Sequence, residues 1–412
     1  MKCIINPQLV LSRVPDGPLA AYIGPFAKSR SAQGYAPSSI HRQVLLAAGF
    51  SHWLKPKGVT LHHISADHPL QYLRYRARQV RPDLGDSAAL RYFIDFLRVE
   101  GVVAAEKISA PLLTPAERCA QAYAQYLREA RDLARTTIVN YVPFIRGFLT
   151  DRFGSERVML SRLSARDVVG FVQRQAPHLH LKRAKLLTTA LRSFLRYARY
   201  RGEVRLDLAA AVPIVANWSM ASIPRAIGED QVRQLLASID RSTASGLRDY
   251  AIVILLARLG LRSGEVAFLE LDDIDWNAGQ VSVRGKRGRR TALPLPPDVG
   301  KAIAAYLRHG RPCSTSRRVF LRSKAPIRGF LGQSAIGSMI RHALLRAGIQ
   351  APTKGAHQFR HALATKMLRH GASLTEIGEV LRHSNPQTTT IYAKVDLKGL
   401  RTLALPWPGG AR

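Results

Sequence analysis

The first half of the chain carries the same short landmarks twice, about one hundred residues apart. Residues 38–40 read Ser-Ser-Ile and residues 136–138 read Thr-Thr-Ile, while residues 64–66 read Ile-Ser-Ala and residues 163–165 read Leu-Ser-Ala. Between the landmarks, apolar residues recur with the period of amphipathic helices, and Gly and Pro punctuate the runs. A constant offset predicts a duplicated helical module. Chance similarity between two small helical bundles stays open as the alternative.

A chain of 412 residues is too long for one ordinary core and fits two or three domains. The periodicity dissolves into Ala-rich sequence with Pro213 before it resumes, which is typical of a linker. The predicted organisation is a first helical module, a second helical module, a linker, a third domain and a tail: residues 1–110, 111–207, 208–222, 223–396 and 397–412.

The charge balance restricts the partners that such a chain can have. The sequence holds 62 Lys and Arg against 28 Asp and Glu, a formal net charge of +34. Because so many positive charges repel one another, an anionic polymer that neutralises them is the favoured partner. The basic residues are spread along the chain and no run of about 18 apolar residues could span a bilayer. Cys3, Cys119 and Cys313 lie too far apart for a disulfide framework or a zinc site. We therefore expect a cytoplasmic, nucleoid-associated protein that binds nucleic acid and not membranes.

Two basic faces in the second module are candidates for contact with DNA phosphates. A helix capped by Thr136 or Thr137 would carry its apolar residues on one side and polar residues on the other. A second helix repeats this arrangement. A charge run is usually only a solvated face, but two such faces on so basic a chain favour DNA contact. The predicted contacts are Arg135, Asn140 and Arg146 on the first helix and Lys182, Arg183 and Lys185 on the second.

The third domain is predicted to be mostly α-helical with a small sheet. A helix opens at residues 228–230, and residues 247–259 form a long apolar helix that ends at Gly260. Residues 281–284 and 291–295 alternate like two strands, and the rest is predicted to be helical to about residue 395. The turn between the strands is very basic and adds the candidate phosphate contacts Arg284, Lys286, Arg287, Arg289 and Arg290.

Three motifs in the third domain carry side chains suited to a phosphodiester. Residues 259–265 read LGLRSGE and place Arg262 just past the long helix, where its planar guanidinium could donate two parallel bonds to one phosphate. Residues 357–361 read HQFRH, and the three-residue spacing sets His357 and Arg360 on one helical face. Residues 381–392 read LRHSNPQTTTIY.

Each motif also has an ordinary interpretation. An Arg beside a Glu on a helix is most often a surface ion pair, and a tyrosine near the end of a chain is usually a packing residue. His357 and His361 have the spacing of a zinc helix, but Gln358 follows where metalloprotease chemistry needs Glu. We therefore expect no metal, and His361 is interpreted as a structural histidine.

Together and in this order, the motifs resemble the catalytic domain of the tyrosine recombinase (integrase) family over residues 223–396. The resemblance extends to residues 114–202, which would be the helical DNA-binding module of that family. It implies a fold in which helical DNA-binding modules are followed by a mixed α+β catalytic domain, closing as a C-shaped clamp around DNA. The first module, residues 1–110, would be an additional feature of this chain.

The resemblance assigns the catalytic roles. Arg262 and Arg360 would hold the phosphate, Glu265 would orient Arg262, and Lys286 would protonate the leaving 5′ oxygen. His357 and His383 would complete the pocket and Tyr392 would be the nucleophile, with neither metal nor cofactor. A cationic pocket should also favour deprotonation of the phenol. The sequence departs from the family pattern at Phe359, where Leu is usual, and at Arg382, where Gly is common.

The function implied is a site-specific DNA recombinase, the integrase or transposase of a mobile element, that cuts and rejoins duplex DNA through a 3′-phosphotyrosine link. It would work as a homo-tetramer on two recombination sites, with or without companion recombinases. Two alternatives stay open: a type IB topoisomerase-like relaxation enzyme, and a catalytically inactive DNA-binding architectural factor. Docking of the tail (residues 397–412) on a neighbouring protomer and on its own domain are equally compatible with the sequence.

Overall fold

The computed structural model describes residues 3–6, 9–11, 14–65, 67–104, 113–215, 226–285, 288, 290–353, 355–383 and 385–395. The chain divides into two compact units. One unit joins the residues up to 106 with those from 220 onward, and the other holds residues 107–219. The predicted mainly helical fold with one small sheet in the third domain is confirmed.

Residues 14–104 form a helical module whose elements pack around aromatic rings. A short antiparallel hairpin precedes it, which the sequence had not indicated. The core is closed by the fully buried rings of Phe26, Phe50 and Phe93. Each comes from a different helix, so three amphipathic faces meet at one centre. The elements are β1 (Cys3–Asn6), β2 (Leu9–Leu11), α1 (Ala20–Ala32), α2 (Pro37–Leu54), α3 (Asp67–Ala77) and α4 (Asp86–Val99).

The second unit is also a helical module with its own core. Thr114 caps its first helix through a reciprocal capping box with Glu117. The predicted cap at Thr136 or Thr137 is wrong: the helix already begins one residue before them, and the chain turns in at Ala134, whose carbonyl accepts the Thr137 N–H. The helices are α5 (Pro115–Glu129), α6 (Arg135–Phe153), α7 (Ala165–Gln175) and α8 (Leu181–Tyr200).

The two modules have the same order of α-helices. In each, a 3₁₀ turn lies between the second and third α-helix, at Leu61–His63 and at Leu160–Arg162; each module also has one further 3₁₀ turn, at a different place in the order. Each last helix is followed by a left-handed glycine, Gly101 at φ 70° and Gly202 at φ 72°. Buried residues recur at offsets near one hundred, in the pairs Ile40 and Ile138, Phe50 and Phe148, and Phe93 and Phe194.

The part of the chain from residue 226 contains the small sheet and seven of the described α-helices, most of which pack around one large core. The sheet is antiparallel in the order β3-β4-β5, with Val281 opposite Leu293 and Val283 opposite Thr291. Both valines are buried, as their alternation predicts. The helices are α9 (Glu229–Ser238), α10 (Ala244–Leu259), α11 (Ser263–Ala267), α12 (Pro297–Ala305), α13 (Gln333–Arg346), α14 (His357–Arg369) and α15 (Leu374–Val380), and the strands are β3 (Ile274–Asp275), β4 (Gln280–Arg284) and β5 (Arg290–Pro294).

The prediction of continuous helix after the strands is wrong for residues 311–332. This stretch holds isolated bridges, among them Leu321 with Gly329, and no regular helix. Pro312 and Pro326 remove backbone donors and Gly329 has no side chain to favour a helix, so the segment runs as an irregular connection. Among the described helices, none is long and apolar enough to cross a membrane.

The long helix α10 positions the candidate site. It is buried on nearly every side from Ala251 to Leu256, so it is a fixed central rod of the core. After it, a smaller apolar cluster of Ala364, Ile377, Leu381 and Tyr392 joins α14 and α15 to the last described turn. The candidate site residues lie where the end of α10 meets this smaller cluster.

Candidate active site

Arg262 is positioned by the abrupt end of α10. Gly260 ends the helix in the left-handed region at φ 57°, and its N–H still donates to Leu256 O. A Cβ at this glycine would lie 2.9 Å from the Leu363 side chain and 3.0 Å from that of Leu381, so the position also needs the missing side chain. The chain then runs extended at Arg262 into the short helix α11.

Glu265 holds Arg262 from inside the protein. Its Oε1 accepts a bond of 2.8 Å from Arg262 Nη1, and its Oε2 accepts a bond of 2.8 Å from the Arg262 backbone N–H. The carboxylate side chain is only 4 % exposed, whereas the Arg262 side chain is 37 % exposed. The predicted orienting role of Glu265 therefore matches its contacts: a buried acid aims a partly exposed guanidinium.

Arg360 is buried among backbone carbonyls. Its Nη1 donates to Gly260 O at 2.7 Å and its Nη2 donates to Leu381 O. Burial, and then the neighbouring charges of Arg262 and Arg382, lower the pKa of Arg360 to about 10. The group still carries its charge at neutral pH, and the cost of burying that charge is offset by the two carbonyl dipoles.

Both guanidiniums donate hydrogen bonds to carbonyls of the same backbone turn. Arg360 bonds to the carbonyl of Leu381, and Arg262 Nη2 donates to the next carbonyl, that of Arg382, at 3.2 Å. The structure thus brings together Arg262 and Arg360, which are separated by 98 positions in the sequence, at one corner of the chain. Two fixed cations side by side can receive one phosphate group.

His383 follows this corner directly. Its Nδ1 lies 2.7 Å from Thr389 Oγ1, and its backbone N–H donates to Gly378 O at 2.9 Å. Burial, followed by the charges of Arg360 and Arg262, lowers the pKa of His383 to about 4. The imidazole is therefore neutral at pH 7, and with Nδ1 engaged by the threonine hydroxyl it can offer Nε2 to a ligand.

Tyr392 is buried in the smaller apolar cluster and its side chain faces a histidine. Only 1 % of the residue is exposed, and its hydroxyl lies 3.0 Å from His361 Nδ1. Burial raises the pKa of the phenol, although the charge of Arg360 acts in the opposite direction. The prediction that the pocket favours deprotonation is wrong for this arrangement, because loss of solvation outweighs the cationic neighbour.

His357 and Lys286 are the remaining predicted catalytic residues. His357 is the first residue of α14 and its side chain is exposed. Lys286 lies outside the described residues. Gly285, the residue after β4, borders a hollow of about 420 Å³ that Arg262 and Glu265 also line. Arg262 and the end of β4 thus border the same hollow.

The candidate DNA contacts of the turn and the helical module differ in their partners. Arg284 pairs with Glu270 and lies 3.6 Å from Asp273, and Arg290 lies 3.8 Å from the same Asp273. In this structure these two arginines are therefore engaged by acids, and Arg287 and Arg289 lie outside the described residues. The contacts predicted on α6 and α8 stay near the surface: Arg135, Asn140, Arg146, Lys182 and Arg183 are exposed and Lys185 is half-buried.

Several of those surface residues have protein partners as well. Asn140 donates to Thr136 O at 2.7 Å, Arg146 lies 3.8 Å from Glu117, and the Arg183 guanidinium lies 4.7 Å from the centre of the Phe144 ring. These contacts leave the side chains at the surface, so the structure neither removes nor establishes their predicted role.

Comparison with known proteins identifies the relatives of this chain. The sequence profile of the phage integrase family matches residues 225–398. The integrase/recombinase y4rA of Sinorhizobium fredii is 58 % identical over 412 residues, covering 100 % of both chains. The tyrosine recombinase XerD of Mycobacterium tuberculosis is 30 % identical over 306 residues, covering 70 % of this chain and 96 % of XerD.

The chain belongs to the tyrosine recombinase family. A solved structure of a lambda integrase tetramer bound to a Holliday junction shares the fold with a TM-score of 0.52 at 14 % identity, over 76 % of this chain and 88 % of that one. The relatives by sequence are recombinases that break and rejoin DNA, so the chain is a site-specific DNA recombinase. The topoisomerase and inactive-factor alternatives are not favoured.

Two residues of the recombinase have contacts that sequence reasoning missed. His361, interpreted as structural, is the hydrogen-bond partner of Tyr392. Arg382, noted only as a departure from the family pattern, donates to Glu265 Oε2 at 2.8 Å. The one signal in the sequence was adjacency to a predicted catalytic residue: His361 follows Arg360, and Arg382 precedes His383.

Proposed function

We propose that the recombinase cleaves DNA by attack of the Tyr392 oxygen on a backbone phosphorus. A bond forms between the phenolic oxygen and phosphorus, and the bond from phosphorus to the 5′ oxygen breaks. The protein is left joined to a 3′ phosphate, and the 5′ oxygen leaves as a hydroxyl after receiving a proton. Because one phosphate ester replaces another, a free 5′ hydroxyl can reverse the reaction without ATP.

The observation that carries this proposal is the seating of Arg262 and Arg360 on neighbouring carbonyls. A guanidinium has five N–H donors. The hydrogen bonds given above use two side-chain donors of each arginine, on Glu265, Gly260 and the corner at residues 381–382. The other donors can meet the nonbridging oxygens, where negative charge develops in the transition state.

The remaining roles follow from charge state and position. His383, neutral at pH 7, is suited to donate a hydrogen bond to the phosphate without adding another positive charge. We assign His357 to the same pocket as an acid or base. Lys286 is assigned as the general acid for the 5′ oxygen, because it follows Gly285 at the edge of the hollow beside Arg262.

We propose that the nucleophile moves before it reacts. Tyr392 is buried, its hydroxyl contacts His361 and burial raises the pKa of the phenol, so the phenol is sequestered in this arrangement. We propose that DNA binding releases the last described turn, Thr390–Val395, and turns the phenol toward the guanidiniums. Arg360 then favours the phenolate, since its charge already lowers the pKa of the phenol from a distance.

We propose that the helical modules and the catalytic domain bind opposite sides of the duplex and close around it as a clamp. The modules would be residues 1–110 and 111–207, followed by the linker 208–222, the catalytic domain 223–396 and the tail 397–412. The identical order of helices in the two modules supports a duplication. The surface residues of α6 and α8 and the basic β4–β5 turn would contact phosphates, with Arg284 and Arg290 exchanging their acidic partners for DNA.

We further propose that the enzyme acts as a homo-tetramer on two DNA sites, as the integrase or transposase of a mobile element in the cytoplasm. The related fold of a lambda integrase tetramer on a Holliday junction supports this assembly. Companion recombinases from the same element would be required if the homo-tetramer alone does not exchange strands. Counting protomers on a synthetic Holliday junction by mass photometry tests the assembly.

The decisive test is covalent trapping. Duplexes selected from a random pool by binding to the protein are nicked at successive positions, so that cleavage near a nick releases a short fragment and traps the enzyme. The wild type should become joined to DNA at one position, and mass spectrometry should locate the bond on Tyr392. Tyr392→Phe should bind DNA with the same affinity and give no covalent product.

Tyr250→Phe is the matched control, since it removes a phenolic oxygen from α10 in the same domain. It should trap as the wild type does. Trapping by Tyr392→Phe at the wild-type rate would refute the assignment of the nucleophile.

A further inference from the structure

Arg382 has a backbone conformation that residues other than glycine seldom adopt. Its φ is 56°, in the left-handed region where glycine is at ease and other L-residues are strained. It follows the end of α15 and lies between Leu381 and His383. A long side chain persists in such a place when the surrounding contacts determine it.

Those contacts bury the Arg382 side chain against the acid that orients Arg262. Arg382 Nη2 donates to Glu265 Oε2 at 2.8 Å, and the side chains are 10 % and 4 % exposed. The same oxygen accepts the Arg262 backbone N–H, and the other oxygen accepts Arg262 Nη1. One buried carboxylate therefore holds two arginines, only one of which belongs to the family pattern.

The contacts close into a ring. Arg262 Nη2 donates to the backbone carbonyl of Arg382, the Arg382 side chain donates to Glu265, and Glu265 accepts from Arg262. His383 is the next residue in the chain. The ring thus links the element that carries the first guanidinium to the element that carries the neutral imidazole.

We propose that Arg382 is a positioning residue of this recombinase, which locks Arg262 and His383 into one geometry through Glu265. It acts on the cleavage step through these two groups and does not hold the DNA itself. The inference rests on the proposed function, because it concerns the same pocket. A glycine at position 382 would relieve the backbone strain but would open the ring and remove one donor from a buried carboxylate.

Single-turnover cleavage of the nicked duplex separates binding from chemistry. We compare the wild type with Arg382→Gly, Arg382→Gln and Arg382→Lys, measuring the DNA dissociation constant and the cleavage rate at saturating DNA. Arg382→Gly and Arg382→Gln should lower the rate about tenfold to a hundredfold with nearly unchanged affinity, since small displacements of positioned groups are costly. Arg382→Lys keeps a cation that can reach Glu265 and should recover most of the rate.

A double-mutant cycle identifies the pathway. If Arg382 acts through Glu265, the loss in Glu265→Gln combined with Arg382→Gly should be well below the product of the two single losses. Arg382→Asn, which tolerates the left-handed conformation, replaces Arg382→Gly if that variant fails to fold.

Two outcomes would overturn the proposal. One is cleavage by Arg382→Gly at the wild-type rate. The other is a loss that lies in DNA affinity, with a salt dependence reduced by about one phosphate contact, which would make Arg382 a direct DNA ligand. If the wild type itself forms no covalent product, the proposed function fails and not this inference alone.

Discussion

The candidate active site has two parts that the protein holds differently: a fixed half, the guanidiniums of Arg262 and Arg360, and the nucleophile, Tyr392. Arg262 and Arg360 are held by a buried acid and by three backbone carbonyls, so the protein itself fixes the positions of their charges. Tyr392 lies in a separate small cluster, buried and protonated, with its hydroxyl on His361. Arg262 lies just past the end of α10 and Arg360 lies on α14, whereas the nucleophile belongs to a short 3₁₀ turn.

This difference has a chemical reason. Transition-state stabilisation needs donors that do not have to reorganise, and such donors must be held by packed elements. The charge of Arg360 favours a phenolate at Tyr392, but burial disfavours it more, so the phenol stays protonated in this arrangement. Keeping Tyr392 protonated until the chain rearranges confines the nucleophile to the complex with DNA.

The largest effect is expected from a substitution in the fixed half of the site, at Arg262. Arg262→Lys keeps the charge beside Glu265 but loses the planar fork that donates two parallel bonds. We expect the cleavage rate at saturating DNA to fall by about a hundredfold or more, as for the loss of one electrostatic donor in an active site. Single-turnover trapping on the nicked duplex measures it.

Arg258→Lys is the matched control, because the exposed Arg258 guanidinium near the end of α10 pairs with Asp298 of α12. It should cleave at the wild-type rate. Cleavage by Arg262→Lys at the wild-type rate would show that Arg262 acts as a general cation and not as a bidentate phosphate clamp.

The fixed half was also the part that the sequence predicted best. Gly260 after a long apolar run predicts a helix end, and the three-residue spacing of Arg262 and Glu265 predicts their pairing, because both are local properties of the chain. The alternation around Val281 and Val283 gave the strands to within one residue.

The contacts that sequence could not give are non-local. Arg382 and Glu265 are 117 positions apart, Arg360 and Gly260 are 100 apart, and His361 and Tyr392 are 31 apart. No period or spacing reports which distant segments meet. The burial of Tyr392 is of the same kind, since its four-residue cluster forms only when α14 and α15 pack together. Family resemblance assigned Tyr392 a role but not its resting environment.

The second prediction concerns the release of Tyr392 from its contact with His361. His361→Phe keeps a ring beside Tyr392 but removes the nitrogen that its hydroxyl contacts. The lost hydrogen bond is worth about 0.5–1.5 kcal/mol, and the buried phenol is left without that partner. If release of Tyr392 precedes cleavage, the rate at saturating DNA should rise about threefold to tenfold.

The control for this variant is His370→Phe, at the exposed end of the same helix, which should leave the rate unchanged. A lower rate in His361→Phe would mean that His361 assists the chemistry and does not merely retain the nucleophile.

The smallest expected effect concerns the pH dependence of folding. Burial lowers the pKa of His383 to about 4, whereas an imidazole in the unfolded chain titrates near 6.5. Between these values the unfolded chain binds a proton that the folded chain does not, so stability falls as the pH drops through this window. His383→Asn removes the group. From pH 7 to pH 5 the wild type should therefore lose about 1 kcal/mol more unfolding free energy than the variant, a figure reduced for partial exposure of the imidazole.

Urea denaturation at the two pH values measures this difference, with His309→Asn as the control because His309 is exposed. The control should behave as the wild type does. If His383→Asn and the wild type lose the same free energy on acidification, then His383 is not held neutral by its surroundings. The fixed half of the site would in that case begin with a charged imidazole beside two guanidiniums, and the contrast with the protonated, sequestered Tyr392 would have to be drawn from position alone.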